Sequence, residues 1–387
     1  VSAGIVTVAS QLNIGSNIKA GSAGVVTATS FSGSGANLTG ISAGLTTDVY
    51  RNTSGGIAAG DSFTGPGDAT DNTLIGYDAG TAITGGDKNI AVGSFALKSA
   101  TTGSGNVAIG ETAMGQATTA SNNIAIGREA LDSVTTAEPN VAIGHKALTA
   151  NTTGTYNTAL GYQALLSNTT GGWNIALGGR SLDANTTGVN NAAVGDYSLS
   201  TNTTGSNNTA VGTQALRLAT TADNNTAVGH YALQATTTGV QNVGVGASAL
   251  TANTTAQQNS AVGYMALFAN TTGEYNTALG RAALYSNTTA DNNTAVGVNA
   301  MLNNTTGTAN VAVGKGSLAA NNASSNVAIG HLALTANTTG SNNTAVGRET
   351  LDTNTTGSHC VALGYYSLFA NTTGYRNVAI GNYALDA

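Results

Sequence analysis

The sequence predicts an all-β protein: a parallel β-solenoid, or β-roll, of nineteen 17-residue coils, assembled as an intertwined or side-by-side homotrimer. The period is the first reason. Asn72, Asn89 and Asn106 open a series that advances in steps of 17 to Asn310. It then loses one residue and resumes at Asn326 and Asn343; Cys360 takes the next Asn place, and Asn377 opens the last unit. The length of the unit is the second reason. Seventeen residues are too few for a helix-pair repeat, whose shortest members need about 33, and they suit one turn of a β-coil. The third is the fixed placement of small and aliphatic residues within the unit.

With the Asn numbered 1, position 4 is Val, Ile or Leu in all nineteen units and position 5 is always Gly. Position 3 is Ala in seventeen, with Leu74 and Gly244 the exceptions. Position 8 is Ala, Ser or Thr, and position 9 is Leu or Met in eighteen, with Gly80 the exception. Positions 2–4 therefore read as a short strand. Gly at position 5 reads as a corner needing positive φ or a close backbone approach. Positions 8–10 read as a second short strand that inserts the Leu, and Asn-Thr-Thr-Gly, as at 151–154 and 371–374, as the return turn. Asn157, Gly161 and Leu165 in one coil, and Asn208, Gly212 and Leu216 in another, represent the ladders that stacking should produce. Asn side chains in such a ladder can pass amide hydrogen bonds from coil to coil.

On this reading each coil has two large apolar side chains, at positions 4 and 9, whose burial yields roughly 3–6 kcal/mol. Ordering the coil's backbone costs more than about 10 kcal/mol. Backbone hydrogen bonding and association must supply the difference. An outward-facing Ala at position 3 would give a smooth stripe for parallel copies to pack on, which points to a homotrimer.

Composition bounds the rest. Charged residues make up 8% of the chain and the formal net charge is −6. The basic residues stand singly, so no cluster offers a footprint for nucleic acid. No apolar run is long enough for a membrane-spanning helix. One cysteine excludes an intrachain disulfide framework. No signal peptide opens the sequence, and it stops partway through a unit; both ends read as limits of a fragment or of an ordered region. Residues 1–50 form a β-rich, Ser/Gly/Thr-rich section in which Ser-Ala-Gly recurs every 20 residues. Residues 51–71 read as a connector or cap containing Pro66, and 72–387 as the rod.

Asn106-Val-Ala-Ile-Gly110, Asn140-Val-Ala-Ile-Gly144 and Asn326-Val-Ala-Ile-Gly330 resemble the Ser/Asn-Val-Ala-Ile-Gly motif of trimeric autotransporter adhesin heads. The resemblance covers residues 72–387. It implies a left-handed parallel β-roll, three copies of which form a trimer that binds collagen or matrix. That family's unit is shorter, and the Asn-Thr-Thr-Gly turn accounts for the added length. The stretch 24–40 (GVVTATSFSGSGANLTG) resembles segments of structural and fibre proteins of marine bacteriophages, especially cyanophages. That resemblance implies a trimeric virion appendage such as a tail fibre.

Positions 6 and 7 vary from coil to coil and hold Tyr162, Tyr197, Tyr231, Tyr264, His145, His230 and His331. A variable row on a fixed scaffold is a place for recognition, and tyrosine suits both glycan and protein contacts; solvated corner residues are the plainer alternative. The densest patch, and the preferred receptor contact, is Tyr365, Tyr366, Tyr375, Arg376 and Tyr383. Asp61, Asp68, Asp71 and Asp78 match no calcium-loop spacing and read as a solvated cap. The histidines are too far apart for a metal site, and Cys360 reads as a buried, inert thiol. Glu111, Glu129 and Asp132 lie on neighbouring coils and could approach as a carboxylate pair, but read as a solvated face. The Thr-Thr pairs at positions 13–14 raise ice binding, which adjacent residues in a turn do not favour. The expectation is thus a non-enzymatic structural fibre or adhesin without metal or cofactor, located in a virion appendage or at a cell surface. Its expected partners are its own copies, other appendage proteins and a host-surface glycan or protein. A bacterial trimeric autotransporter-type adhesin head and an ice-binding solenoid are the alternatives.

Overall fold

The computed structural model describes residues 46–63 and 69–386. The section expected over 1–50 therefore lies outside the described residues except for its last five. Strands are the only regular elements described: β1 (Thr46–Thr47), β2 (Thr53–Gly55), β3 (Thr73–Ile75) and one further three-residue strand at positions 2–4 of every later coil, ending with β21 (Val378–Ile380). All belong to one 21-stranded sheet. From β2 onward each pairs in parallel with the next in strict register, so that Ala193, Ala210 and Ala227 lie side by side. Stacking twenty strands at a spacing of about 4.8 Å makes this part of the molecule about 90 Å long.

The stack begins one coil earlier than the Asn count implies. Asn52-Thr-Ser-Gly-Gly56 is a degenerate unit opening, 20 residues ahead of Asn72, and it supplies β2 inside the span read as a connector. The ladder begins before it. Asp48 accepts the backbone N–H of Asn52 at 2.8 Å and its side-chain amide at 2.9 Å, much as Asn52 does for Asn72 at the next rung. β1 pairs antiparallel with β2 beside it.

Two expectations about the coil need correction. The first concerns facing. Ala at position 3 does not form an outer stripe; it is fully buried in the chain's own core, as at Ala91, Ala159 and Ala210. Positions 2 and 4 point outward instead, so the large core aliphatic of most coils is the residue at position 9, for example Leu165 or Leu216; Ile83 and Val134, at position 12, are buried beside it in two early coils. The coil is too narrow for anything larger opposite that leucine. A Cβ on Gly244, at position 3, would already lie 3.2 Å from Cγ of Leu233, leaving only methyl-sized space. The one coil that breaks the pattern exchanges the two sizes: Leu74 fills position 3, and Gly80 at position 9 makes way, since a Cβ there would lie 2.7 Å from Leu74 Cδ2.

The second correction concerns positions 8–10, which are stacked turns and not a strand. Residues at positions 7 and 9 have φ near +55°, as in Gln163 (56°), Leu165 (52°), Gln214 (59°) and Leu216 (50°). The left-handed residues bracketing position 8 aim their own N–H groups at opposite neighbours, while the position-8 N–H bonds within its coil, as Ala164 does to Gly161 O at 3.4 Å. Gln163 N–H donates to the His145 carbonyl of the preceding coil at 3.0 Å, and Leu165 N–H to the Ser181 carbonyl of the following coil at 3.0 Å. Short-range bonds such as Asn168 N–H to Leu165 O, 3.2 Å, close the turn. The backbone thus hydrogen-bonds both neighbours without extending, which offsets the cost of about 1–2 kcal/mol for each left-handed residue.

Gly161 and Gly212 form the position-5 corner as expected, with φ of 141° and 129°. Two asparagine ladders run through the core, where one was expected. At position 1, Asn157 accepts the Asn174 backbone N–H at 3.0 Å and donates its amide to Gly171 O at 2.8 Å. At position 12, Asn168 donates to Asn151 Oδ1 and to the same Gly171 carbonyl, each at 2.9 Å. Both rows are buried. The residues that break the ladders leave visible consequences. Ala219 stands at position 12, and the buried Oδ1 of Asn202 below it has no partner. Cys360 is buried, and its thiol donates to Gly374 O at 3.3 Å, but it carries no oxygen to offer Asn377. The single-residue deletion falls in the turn after Asn321. There the side-chain oxygen of Asn322 accepts the Thr305 N–H at 2.7 Å, in place of the backbone carbonyl that the other coils use, and the strand register is kept.

Candidate contact surfaces

Three surfaces follow from this placement of side chains. The first is the outer face of the sheet, where position 4 forms a row of Val, Ile and Leu along the whole stack and position 2 adds a mixed row, Thr or Ser in eight coils and aliphatic in the others. Ile175 is 44% exposed, Leu160 47% and Leu279 48%. Ile90, Ile109, Ile124, Val211, Val262, Ile329, Val361 and Leu363 continue the rows. Scattered apolar residues on a surface are ordinary, but a continuous strip is not. At position 17 beside it, Tyr156 and Trp173 stack nearly parallel, 5.5 Å apart, both more than half exposed. The lone Trp was not singled out from the sequence, although its 17-residue offset from Tyr156 foretells the stack.

The second surface is the edge made by positions 6, 7 and 10. Of the basic residues after Asn72, all but Lys88 and Arg376 stand at these positions. They interleave with aromatic rings. Arg128 meets the His145 ring nitrogen at 2.6 Å, His145 stacks on Tyr162 at 5.6 Å, and Arg180 lies over both Tyr162 and Tyr197 at 5.9 and 5.8 Å. His230 packs on its neighbour Tyr231, 3.7 Å between ring centres. Tyr264 is an exposed member of the same row.

Of the five residues expected to form a receptor contact, the structure brings three together. Tyr365 packs against Tyr366 and Tyr383, with ring centres 4.4 and 5.3 Å apart. Tyr375 and Arg376 pair with one another at 5.9 Å, at positions 16 and 17 and thus off that edge. In their place the cluster gains three residues that were not singled out from the sequence, although Arg348 and Glu349 stand 17 residues before Tyr365 and Tyr366. Phe369, at position 10, stacks on Tyr366 at 4.6 Å; Arg348 lies over Tyr365 at 5.8 Å; and Glu349 forms an ion pair with Arg348 at 2.9 Å. A hydrogen bond from Tyr366 holds the Glu349 carboxyl below its ordinary range, and the same bond pushes the Tyr366 phenol up to about 12.

The third surface is a cleft of about 320 Å³ on the same edge, near the start of the stack, between Phe95, Lys98, Thr112, Gln116 and Asp132. It exists because Gly115 is the one glycine at position 10 among the nineteen 17-residue units. Burial pushes the Asp132 carboxyl up from its ordinary range, against a hydrogen bond from Gln116. Glu129 is taken up by Arg128 and Lys146, both at 3.3 Å, so the three carboxylates noted in the sequence do not act as one group.

Other sequence candidates find local explanations. Asp71 forms a two-pronged pair with Arg51 at 2.5 and 2.7 Å, Asp78 faces Lys98 at 4.0 Å, and Asp68 lies outside the described residues. The first Thr of each pair turns its hydroxyl to the next coil, as Thr169 does to Thr186 O at 3.0 Å. Only the second, such as Thr153 or Thr170, stands in an exposed row. The Asn of each described Asn-Thr-Thr sequence is a ladder residue whose amide nitrogen is already donating, buried from Asn151 to Asn354 and part-buried at Asn371. Comparison with protein families, with curated proteins and with solved structures finds no match for the chain.

Proposed function

We propose that the chain is the structural rod of an extracellular appendage, a phage tail fibre or related attachment organ, and that it works as a homotrimer. The observation that carries this reading is the exposed aliphatic face. A solenoid that closes its own core on Leu, Ala and Asn has no internal use for an outer row of Val, Ile and Leu about 90 Å long, joined at position 2 by Val or Ile in ten of the nineteen coils. Parallel copies offer the same rows at the same rise per coil, so a closed symmetric assembly matches them rung for rung and removes the strip from water. The role is mechanical. The ladders keep the rod stiff, and the edge at positions 6, 7 and 10, which lies beyond the Gly corner from the inter-chain strip, presents the changing aromatic and charged side chains to a host surface.

The test is the mass of the purified chain by light scattering behind a sizing column. The expected value is three times the 37.9 kDa of the single chain. A stable folded monomer would remove the trimer and, with it, the reason for the exposed face.

A further inference from the structure

The cleft at Gly115 has a chemistry that the rod does not use. Elsewhere position 10 carries a side chain, among them Lys98, Asp132, Arg217, Phe268, Tyr285 and Phe369. These cover the edge; Gly115 leaves it open across the coils that begin at Asn89, Asn106 and Asn123. An aromatic ring, Phe95, forms one wall, with the Lys98 ammonium 4.7 Å from its centre. The opposite wall is the half-buried Asp132 carboxylate, joined to the Gln116 amide at 3.3 Å. At the lining lies the buried hydroxyl oxygen of Thr112, which has no hydrogen-bond partner. Buried polar atoms in folded proteins are seldom left so.

We propose that this cleft binds a single pyranose unit of a neutral glycan. The volume suits a ligand at the small end of known pockets. A pyranose has an apolar C–H face for the Phe95 ring and vicinal hydroxyls that can donate to Asp132 while accepting from Gln116 and Lys98. Lys98 also faces Asp78 at 4.0 Å, so the cleft has no excess of positive charge, which favours a neutral partner over an anionic one. The cleft uses positions 7, 10 and 11 and none of positions 2 or 4. A monomeric mass would therefore leave this proposal standing, and an empty cleft would leave the trimer standing.

The test is saturation-transfer NMR, followed by titration calorimetry, on the whole chain with the methyl glycosides of glucose, galactose, mannose and N-acetylglucosamine. At least one should bind. Gly115→Tyr should abolish binding, and Asp132→Asn should weaken it tenfold or more. Gly115 does not have a left-handed φ and Tyr285 occupies the equivalent place, but a Cβ on Gly115 would lie 2.6 Å from Asp132 Oδ1, so that carboxylate must move aside; the tyrosine variant counts only if it melts as the wild type does. If it does not, Asp132→Asn decides alone. The proposal fails if no glycoside binds, if binding survives both substitutions, or if zwitterionic amino acids bind in place of sugars.

Discussion

Gly212→Val is expected to break the rod in its middle. Gly212 has a φ of 129°, a region of the backbone that β-branched residues do not enter without strain of roughly 1–3 kcal/mol. The added side chain also has nowhere to go, because a Cβ there would lie 2.7 Å from the carbonyl carbon of Gly229 in the next coil. Together these should cost roughly 4 kcal/mol or more, in the range of the most damaging single substitutions. Coils couple only to their neighbours, so the damage should be local. Hydrogen exchange should show protection lost in the coils around Asn191, Asn208 and Asn225 and kept near both ends of the stack. Gly179→Val is the control. Gly179 lies at position 6 with an ordinary φ, and its nearest obstacle is the flexible Asp196 carboxylate at 3.3 Å. If the two variants melt alike, the corner is not the constraint described.

Asn208→Ala should be nearly as costly for a different reason. The Asn208 side chain accepts the Asn225 backbone N–H at 3.0 Å and donates to Asn191 Oδ1 at 3.2 Å and to Ala222 O at 2.7 Å. Truncation leaves the Asn225 N–H and the Ala222 carbonyl without this partner at about 1–3 kcal/mol each, or about 2–6 kcal/mol in all, while Asn191 Oδ1 keeps the Asn208 backbone N–H. Asn208→Asp should also destabilise at neutral pH, because a carboxylate accepts the Asn225 N–H but repels the two acceptors below it. Acidification should recover part of that loss, since a protonated Asp can donate again. Asp48 is tolerated at the start of the ladder because only acceptance is asked of it there. The converse substitution, Ala219→Asn, should stabilise the rod by about 1–2 kcal/mol by giving the orphaned Asn202 oxygen its missing donor. Denaturant unfolding of the three variants measures both directions. A neutral Asn208→Ala would show that the ladder is geometry without energy.

The sequence was informative wherever a residue acts at its own rung. Strict periodicity was enough to place the strand at positions 2–4, the glycine corner and the Asn157 and Asn208 rungs. It misled on facing. Ala is small enough for either side of a strand, and what decides its side is the width of the coil, set by the turns at positions 7–9. Those turns require left-handed leucines, which propensity argues against. The paired exceptions Leu74 and Gly80, which stand in one unit, carried the clue that positions 3 and 9 touch. The coil at Asn52 is not legible from the repeat because Ser54 and Gly55 stand at positions 3 and 4, Gly60 stands at position 9, and its length is 20. The edge clusters were half legible. Tyr365 and Tyr383 meet because they stand one coil apart, whereas Phe369 joins them only because position 10 folds back beside position 7. The cleft at Gly115 was invisible, since one more glycine in a glycine-rich chain reads as nothing until its row is known.

The central claim is that copies meet along positions 2 and 4. Its most direct test is oxidative cross-linking of single cysteines in a Cys360→Ser chain. A cysteine replacing Val245, on the outer sheet face, should form inter-chain disulfides rapidly and in high yield. A cysteine replacing Thr238, in the exposed turn row, should not. Cross-linking from Thr238 but not from Val245, or from neither, would contradict the account.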